Sequence, residues 1–145
     1  MTNTPIEWND KLLTGVDEID RQHRFLVATL HDIQVRLNEN PKHRLPERIL
    51  RDLLAYAIYH FDTEEQLMKR HGYEFAEPAL ATLHVKQHRH FSSQIVDLRA
   101  QSQTGDAGTE ETLLAFLTSW LYEHIAHTDQ GLGEFICART AKHDT

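Results

Sequence analysis

Leu50, Leu53, Ala57, His60, Glu64 and Leu67 recur at intervals of three and four, the spacing of one buried stripe on an α-helix. His60 and Glu64 put a base and an acid on the face where apolar side chains belong. Burying an imidazole and a carboxylate without partners costs several kcal/mol, on the order of the net stability of a small domain. A fold that accepts this stripe must bring compensating groups to the same place. A bound metal ion satisfies both residues at once.

The same intrusion repeats elsewhere. A helix over 18–38, with Asp17 as its cap and Asn38 to Pro41 ending it, faces inward through Ile19, His23, Leu26, Leu30, Ile33 and Leu37. Pro46 suits the first turn of the second helix, 46–71, and Gly72 stops it. Pro78 suits the first turn of a third, 77–101, whose stripe is Leu80, His84, His88, Phe91, Ile95 and Leu98. A polar turn over 102–108 follows. Thr109 with Glu110 and Glu111 then opens a fourth helix, 109–130, carrying Leu113, Leu117, Trp120, Leu121, His124 and Ile125. Gly131 and Gly133 are expected to break it, leaving a short terminal helix at 134–141. Residues 1–16 read as an irregular arm anchored by Trp8. The prediction is an all-α, antiparallel up-down-up-down four-helix bundle in one domain, 1–145.

In such a bundle the start of the first helix, the end of the second, the start of the third and the end of the fourth share one end. Every intruding polar residue falls at that level. His84 and His88 are four apart, about 40° around a helix, and His60 and Glu64 share the offset. Asp129 lies five after His124, about 140° round, and reaches the others only from a flank or if the helix is loosened near Gly131. The set is five imidazoles (His23, His60, His84, His88, His124) and two carboxylates (Glu64, Asp129). That is too many ligands for one ion, and too rich in nitrogen for calcium or magnesium. Two ions sharing both carboxylates and one hydroxide or oxide fit, with three imidazoles on one ion and two on the other, which keeps an open position. The ligand types suit iron; zinc and manganese satisfy them as well.

Eleven histidines in 145 residues, spread along the chain, agree with such a centre. The net charge of −7 and the lack of a basic cluster disfavour a nucleic-acid surface. No apolar run is long enough to span a bilayer, and the N-terminus lacks the pattern of a signal peptide. The single cysteine, Cys137, rules out an internal disulfide and fits a reducing compartment, so the expected location is cytoplasmic. Cys137 itself reads as a packed or idle thiol. His31, His43, His71, His90, His127 and His143 read as exposed or partly exposed side chains. Glu65 points about 100° away from Glu64, into solvent or behind a ligand.

The matching stretches are Thr14-Gly15-Val16 with Ile19-Asp20 and Gln22-His23, then His60-Phe61 with Glu64-Glu65, then His84, His88 and Phe91, and last Trp120-Leu121, His124-Ile125 and Asp129. Across residues 8 to about 132 they resemble the haemerythrins, specifically the single-domain bacterial ones. The resemblance implies two irons, one held by His84, His88 and His124 and the other by His23 and His60, bridged by Glu64, Asp129 and a hydroxide or oxide. It further implies reversible O2 binding at the five-coordinate iron, for carriage, storage or delivery to an oxygen-consuming client. Leu26, Phe61, Trp120, Leu121 and Ile125 would wall a dry pocket over the open position, Leu26 replacing the isoleucine expected there. Asp20, three before His23, is a candidate partner for an outer imidazole nitrogen.

A non-enzymatic role is the leading expectation. The rivals are a di-iron enzyme acting on peroxide or nitric oxide, and an O2-sensing module. The Glu-x-x-His pairs of ferritin-like oxidases occur nowhere in the chain, and 145 residues are expected to leave no room for an output domain.

Overall fold

The computed structural model describes residues 5–39, 47–103 and 109–143. The elements are α1 (Asp17–Glu39), α2 (Glu47–His71), a single-turn α3 (Tyr73–Ala76), α4 (Pro78–Gln103) and α5 (Thr109–Glu123). A π-helical segment, His124–Thr128, joins α5 to α6 (Asp129–His143). No strand occurs among the described residues. The all-α bundle is as the stripes predict.

Two apolar clusters hold it together, and they do not merge. One contains Leu26, Leu30, Leu53, Ala57, Phe61, Phe91, Leu117 and Leu121. The other, at the α3 end, contains Ile19, Leu67, Met68, Tyr73, Ala81, Leu132 and Ile136. Between them lies the polar layer, on α1, α2 and α4 and where α5 passes into α6. On α1 it is His23, with Ile19 in one cluster and Leu26 in the other. Full burial of each such aliphatic side chain is worth about 1.5–3 kcal/mol, so the layer is held between two surfaces with strong reasons to stay dry.

Gly72 ends α2 in the left-handed region, φ +73°, where a glycine is at no disadvantage. The sequence reading has no element between 72 and 77, yet a helical turn forms there and buries Tyr73. That burial decides the register of α4. Leu80, expected inward, is 48% exposed, and Ala81 faces the core instead. Both lie three or four residues before His84, so spacing permits either. The small Ala81 side chain packs in the same cluster as Tyr73.

The expected break at Gly131 and Gly133 is absent: helix continues to His143, and 134–141 is part of it. A helical glycine costs only about 1 kcal/mol, too little to stop a packed helix. Gly133 instead marks a close approach, since a Cβ there would lie 2.7 Å from Thr14 Cβ. Ser102 and Gln103, assigned to a turn by the sequence reading, are the last residues of α4. Pro46, His43 and residues 104–108, with the rest of that turn, lie outside the described residues.

The arm is tied down at several points, not by Trp8 alone. Ile6 and Leu12 are buried; the Ile6 amide donates to Gln34 Oε1 at 2.7 Å, and its carbonyl accepts from His31 Nδ1 at 2.8 Å. Trp8 is half-buried beneath the Arg24 guanidinium, 5.2 Å from the ring centroid. Asp17 is the first helical residue rather than a cap. Asp20 reaches back to the arm instead, accepting from the Thr14 amide and hydroxyl at 2.8 Å each and from the Gly15 amide at 3.1 Å. No helix among the described residues is long and apolar enough to cross a membrane.

Candidate metal centre

His23, His60, Glu64, His84, His88, His124 and Asp129 converge in one buried layer, none more than 3% exposed. Each imidazole turns Nε2 inward. Asp129 spans the group: Oδ2 lies 2.9 Å from His23 Nε2, while Oδ1 lies 3.2 Å from His84 Nε2 and 3.1 Å from His124 Nε2. Glu64 Oε1 is 3.2 Å from both His60 Nε2 and His88 Nε2, and Oε2 is 3.7 Å from His84 Nε2. Two clusters of potential donor atoms result: Glu64, His84, His88 and His124 in one, and His23, His60, Glu64 and Asp129 in the other, each within 4.8 Å. The division of the imidazoles, three and two, is the one the resemblance implies.

Asp129 reaches the layer through the backbone, not by a flank approach. The helix widens over His124–Thr128, and the Asp129 amide donates to the His124 carbonyl five residues earlier. Such a π turn contains an extra residue relative to an α-helix, so residues five apart come to the same face. The loosening therefore lies before Asp129, not near Gly131.

The donor atoms fit a cation better than one another. The inner nitrogens of His23, His60 and His84, with Glu64 Oε2 and both Asp129 oxygens, are buried without a hydrogen bond. His23 Nε2 and Asp129 Oδ2 are close without the direction a hydrogen bond requires. His88 Nε2 and His124 Nε2 are 3.1 Å apart, while the outer nitrogen of each faces an acceptor. In the neutral rings the outer nitrogens hold the protons, so two lone pairs point into one space. Orphaned buried polar atoms of this kind call for an ion.

Without metal, protons take that place. Burial would push His84 down, but the carboxylates of Asp129 and Glu64 outweigh it and hold His84 up at about 10. His124 is raised to about 9 against the same opposing burial, chiefly by Asp129. Burial and the Glu64 charge would raise Asp129, and the His124 imidazolium beside it carries it well below the carboxylate range instead. Glu64 is likewise held low: burial would raise it, and the imidazoles packed around its carboxylate, His60 foremost, overcome that.

Other helices fix three of the outer nitrogens, whereas those of His23 and His84 are buried without a hydrogen-bond partner among the described residues. His60 Nδ1 donates to Gln22 Oε1 at 2.6 Å, and Gln22 Nε2 donates to Thr63 Oγ1 at 3.2 Å. His124 Nδ1 and Thr128 Oγ1 both donate to Gln87 Oε1, at 2.9 and 2.7 Å. His88 Nδ1 donates to Glu65 Oε2 at 3.1 Å. Asp20 is not among these partners; its oxygens are taken by the arm. Sequence reasoning missed Gln22 and Gln87 as partners, although Gln22 adjoins His23 and Gln87 adjoins His88.

Of the five expected pocket residues, Leu26, Phe61, Leu121 and Ile125 are buried and Trp120 is half-buried. Phe61 stacks on His88 with ring centroids 4.1 Å apart, and Trp120 stacks on His124 at 4.5 Å. Two of the walls therefore lie flat against the three-imidazole group.

Fold and centre together define a class: a helical bundle with a buried, nitrogen-rich cation site. Residues 14–136 match the sequence model described as the Hemerythrin HHE cation binding domain. The chain is 34% identical over 128 residues to a bacteriohemerythrin of Pseudomonas aeruginosa, covering 86% of this chain and 76% of that one. It is 30% identical over 131 residues to a bacteriohemerythrin of Stenotrophomonas maltophilia (90% and 81% covered), and 28% over 129 residues to one of Methylococcus capsulatus (86% and 91%). The chain belongs to the haemerythrin family. Its His, Glu and Asp donor set is that of a non-haem iron-binding domain.

Proposed function

We propose that the protein binds O2 reversibly at a pair of non-haem irons, as a carrier, store or delivery protein of the cytoplasm serving an oxygen-consuming client, and that it is not an enzyme. The observation that carries this reading is the unequal division of one buried layer. His84, His88 and His124 gather on one side, His23 and His60 on the other, with Glu64 and Asp129 reaching both. In this reading Glu64 and Asp129 would serve both metal positions, and the side of His23 and His60 would have fewer protein donors than the side of His84, His88 and His124. A bound, reduced iron pair would supply the redox chemistry that reversible O2 binding needs.

The chain's own contribution is orientation and exclusion. Gln22 and Gln87 each hold an imidazole with Nε2 turned inward. Asp129 divides its oxygens between the two sides, a position the π turn provides. Leu26, Phe61, Leu121 and Ile125 keep water from the layer. An enzyme cleaving the O–O bond needs a proton donor beside the substrate. These walls are hydrocarbon, which favours binding followed by release.

The test is spectroscopic. Anaerobic, iron-loaded, reduced protein exposed to O2 should colour, and purging with inert gas should reverse the change through repeated cycles. Colour that never reverses, or continuous consumption of O2, would refute the binding reading and favour oxidative turnover. Metal analysis should give two irons per chain.

A further inference from the structure

Three of the inward imidazoles have a described acceptor on their outer nitrogen, and only one of these acceptors is charged. Gln22 and Gln87 present neutral amide oxygens to His60 and His124, whereas Glu65 presents a carboxylate to His88. The Glu65 side chain is 35% exposed and borders a surface depression of about 290 Å³ that also touches Ile58, Asp62, Arg89 and Ser92. No described lysine or arginine forms a salt bridge with it, so its charge acts on His88 without a paired cation. The ring it addresses is held flat by Phe61.

A carboxylate accepting from an imidazole N–H draws the proton outward and raises electron density at the opposite nitrogen. A richer nitrogen is a better donor to a metal, and more so to the more highly charged oxidation state. A neutral amide in the same place orients the ring without adding charge.

We propose that Glu65 is a positioning residue that acts through His88 to strengthen the three-imidazole side and bias the bound pair towards its oxidised form. The proposal rests on the di-iron reading above. Gln22 and Gln87 are the neutral counterparts: they orient His60 and His124 and strengthen them as donors less than a carboxylate would. The metal pair is then electronically asymmetric for a reason beyond ligand number, and the asymmetry originates at an accessible side chain.

Two substitutions separate charge from geometry. Glu65→Gln keeps an acceptor for His88 and removes the charge. Gln87→Glu keeps an acceptor for His124 and adds one. The midpoint potential of the iron-loaded protein is read by spectroelectrochemistry, and iron retention by competition with a chelator. Glu65→Gln should raise the potential with the iron content intact, and Gln87→Glu should lower it. Glu65→Ala, which removes acceptor and charge together, should also raise the potential and should weaken iron retention about tenfold. An intact iron pair whose potential does not move, or falls, in Glu65→Gln would overturn this proposal alone. Wild-type protein that holds no iron pair would overturn the reading of the preceding subsection, and this one with it.

Discussion

The amide of Asp129 donates to the carbonyl of His124, five residues earlier in the chain, at the end of the π turn. In an unbroken α-helix the two side chains would diverge by about 140°. Here Asp129 Oδ1 lies 3.1 Å from His124 Nε2. Gln87 on α4 accepts from both His124 and Thr128 and so ties the first and last residues of the turn to a neighbouring helix. A widened turn leaves backbone groups poorly paired, and such turns frequently mark functional positions. This one brings the second carboxylate into the layer.

Asp129→Leu should therefore abolish pairing of the two metal groups. The carboxylate is fully buried against His23, His84 and His124, and removing one partner of such a buried ionic cluster costs about 3–5 kcal/mol in the metal-free protein. Metal analysis should show iron falling to one per chain or fewer, and thermal unfolding of the metal-free form should move down. Two irons per chain in the variant would mean that Asp129 does not bridge.

His88→Ala should lower iron to about half of the wild-type amount or remove it altogether, because His88 Nε2 sits 3.2 Å from Glu64 Oε1 and 3.1 Å from His124 Nε2 at the heart of the three-imidazole group. Circular dichroism serves as the control for folding. A full complement of iron in a folded variant would show the ligand set to be wrong.

Metal uptake should release protons. His84 is held up at about 10 and His124 at about 9 in the metal-free chain, so both are protonated at pH 7 and must lose that proton to bind an ion. Iron affinity should weaken as pH falls, and loading in a weakly buffered solution should acidify it. In the metal-free protein both histidines are raised above 6.5, so their stabilisation is fully present below that pH and is lost as pH climbs through 9 to 10. Asp129 and Glu64 are lowered, so theirs is present above about pH 4 and fades on acidification. Thermal melts of metal-free protein between pH 5 and about 10.5 should show stability falling at the alkaline end. A flat profile there would contradict the ionic coupling.

Phe61→Ala should destabilise the bundle and, on the proposed O2-binding reading, speed irreversible oxidation of the iron-loaded protein. Phe61 stacks on His88 and meets Phe91 and Trp120 edge-on, so truncation opens a cavity beside a ligand at a cost of about 3–5 kcal/mol. Chemical denaturation gives the first quantity and the rate of irreversible oxidation in air the second. Unchanged autoxidation would mean that the ring does not guard the centre.

Gly133→Ala should lower the midpoint of thermal unfolding. The added methyl would run into the Thr14 backbone and side chain, and overpacking of a tight contact costs about 1–3 kcal/mol. Because α6 is already helical at this position, alanine would be stabilising if Gly133 were only a weak helix former. The sign of the shift therefore decides between the two roles.

The stripes at threes and fours located α1, α2, α4 and α5 and six of the seven inward polar residues, because helical period and burial are written into local spacing; Asp129 stood off its stripe, and the expected break at Gly131 and Gly133 hid the run of α6. Spacing could not choose between Leu80 and Ala81, since both stand at helical distance from His84 and the choice depends on Tyr73 packing from another element. Nor could it see that Gly133 accommodates the arm, a contact between residues far apart in the chain. Gln22 and Gln87 look in sequence like ordinary polar positions on a helix, and Glu65 could be placed only in solvent or behind a ligand. Each acquires its role only when a histidine of another helix turns its outer nitrogen towards it.

By itself, then, the chain determined that four amphipathic segments would each carry a cluster-forming polar residue at one end of a bundle. The 3.6-residue repeat forces side chains three and four apart onto one face whatever else happens. Tertiary structure decided how those residues are aimed: which oxygen of Asp129 meets which imidazole, which nitrogen of each ring looks inward, and where a helix widens by one residue to admit a carboxylate. Those outcomes come from packing and hydrogen bonding between helices and from one widened turn, and no repeat within a single segment encodes them.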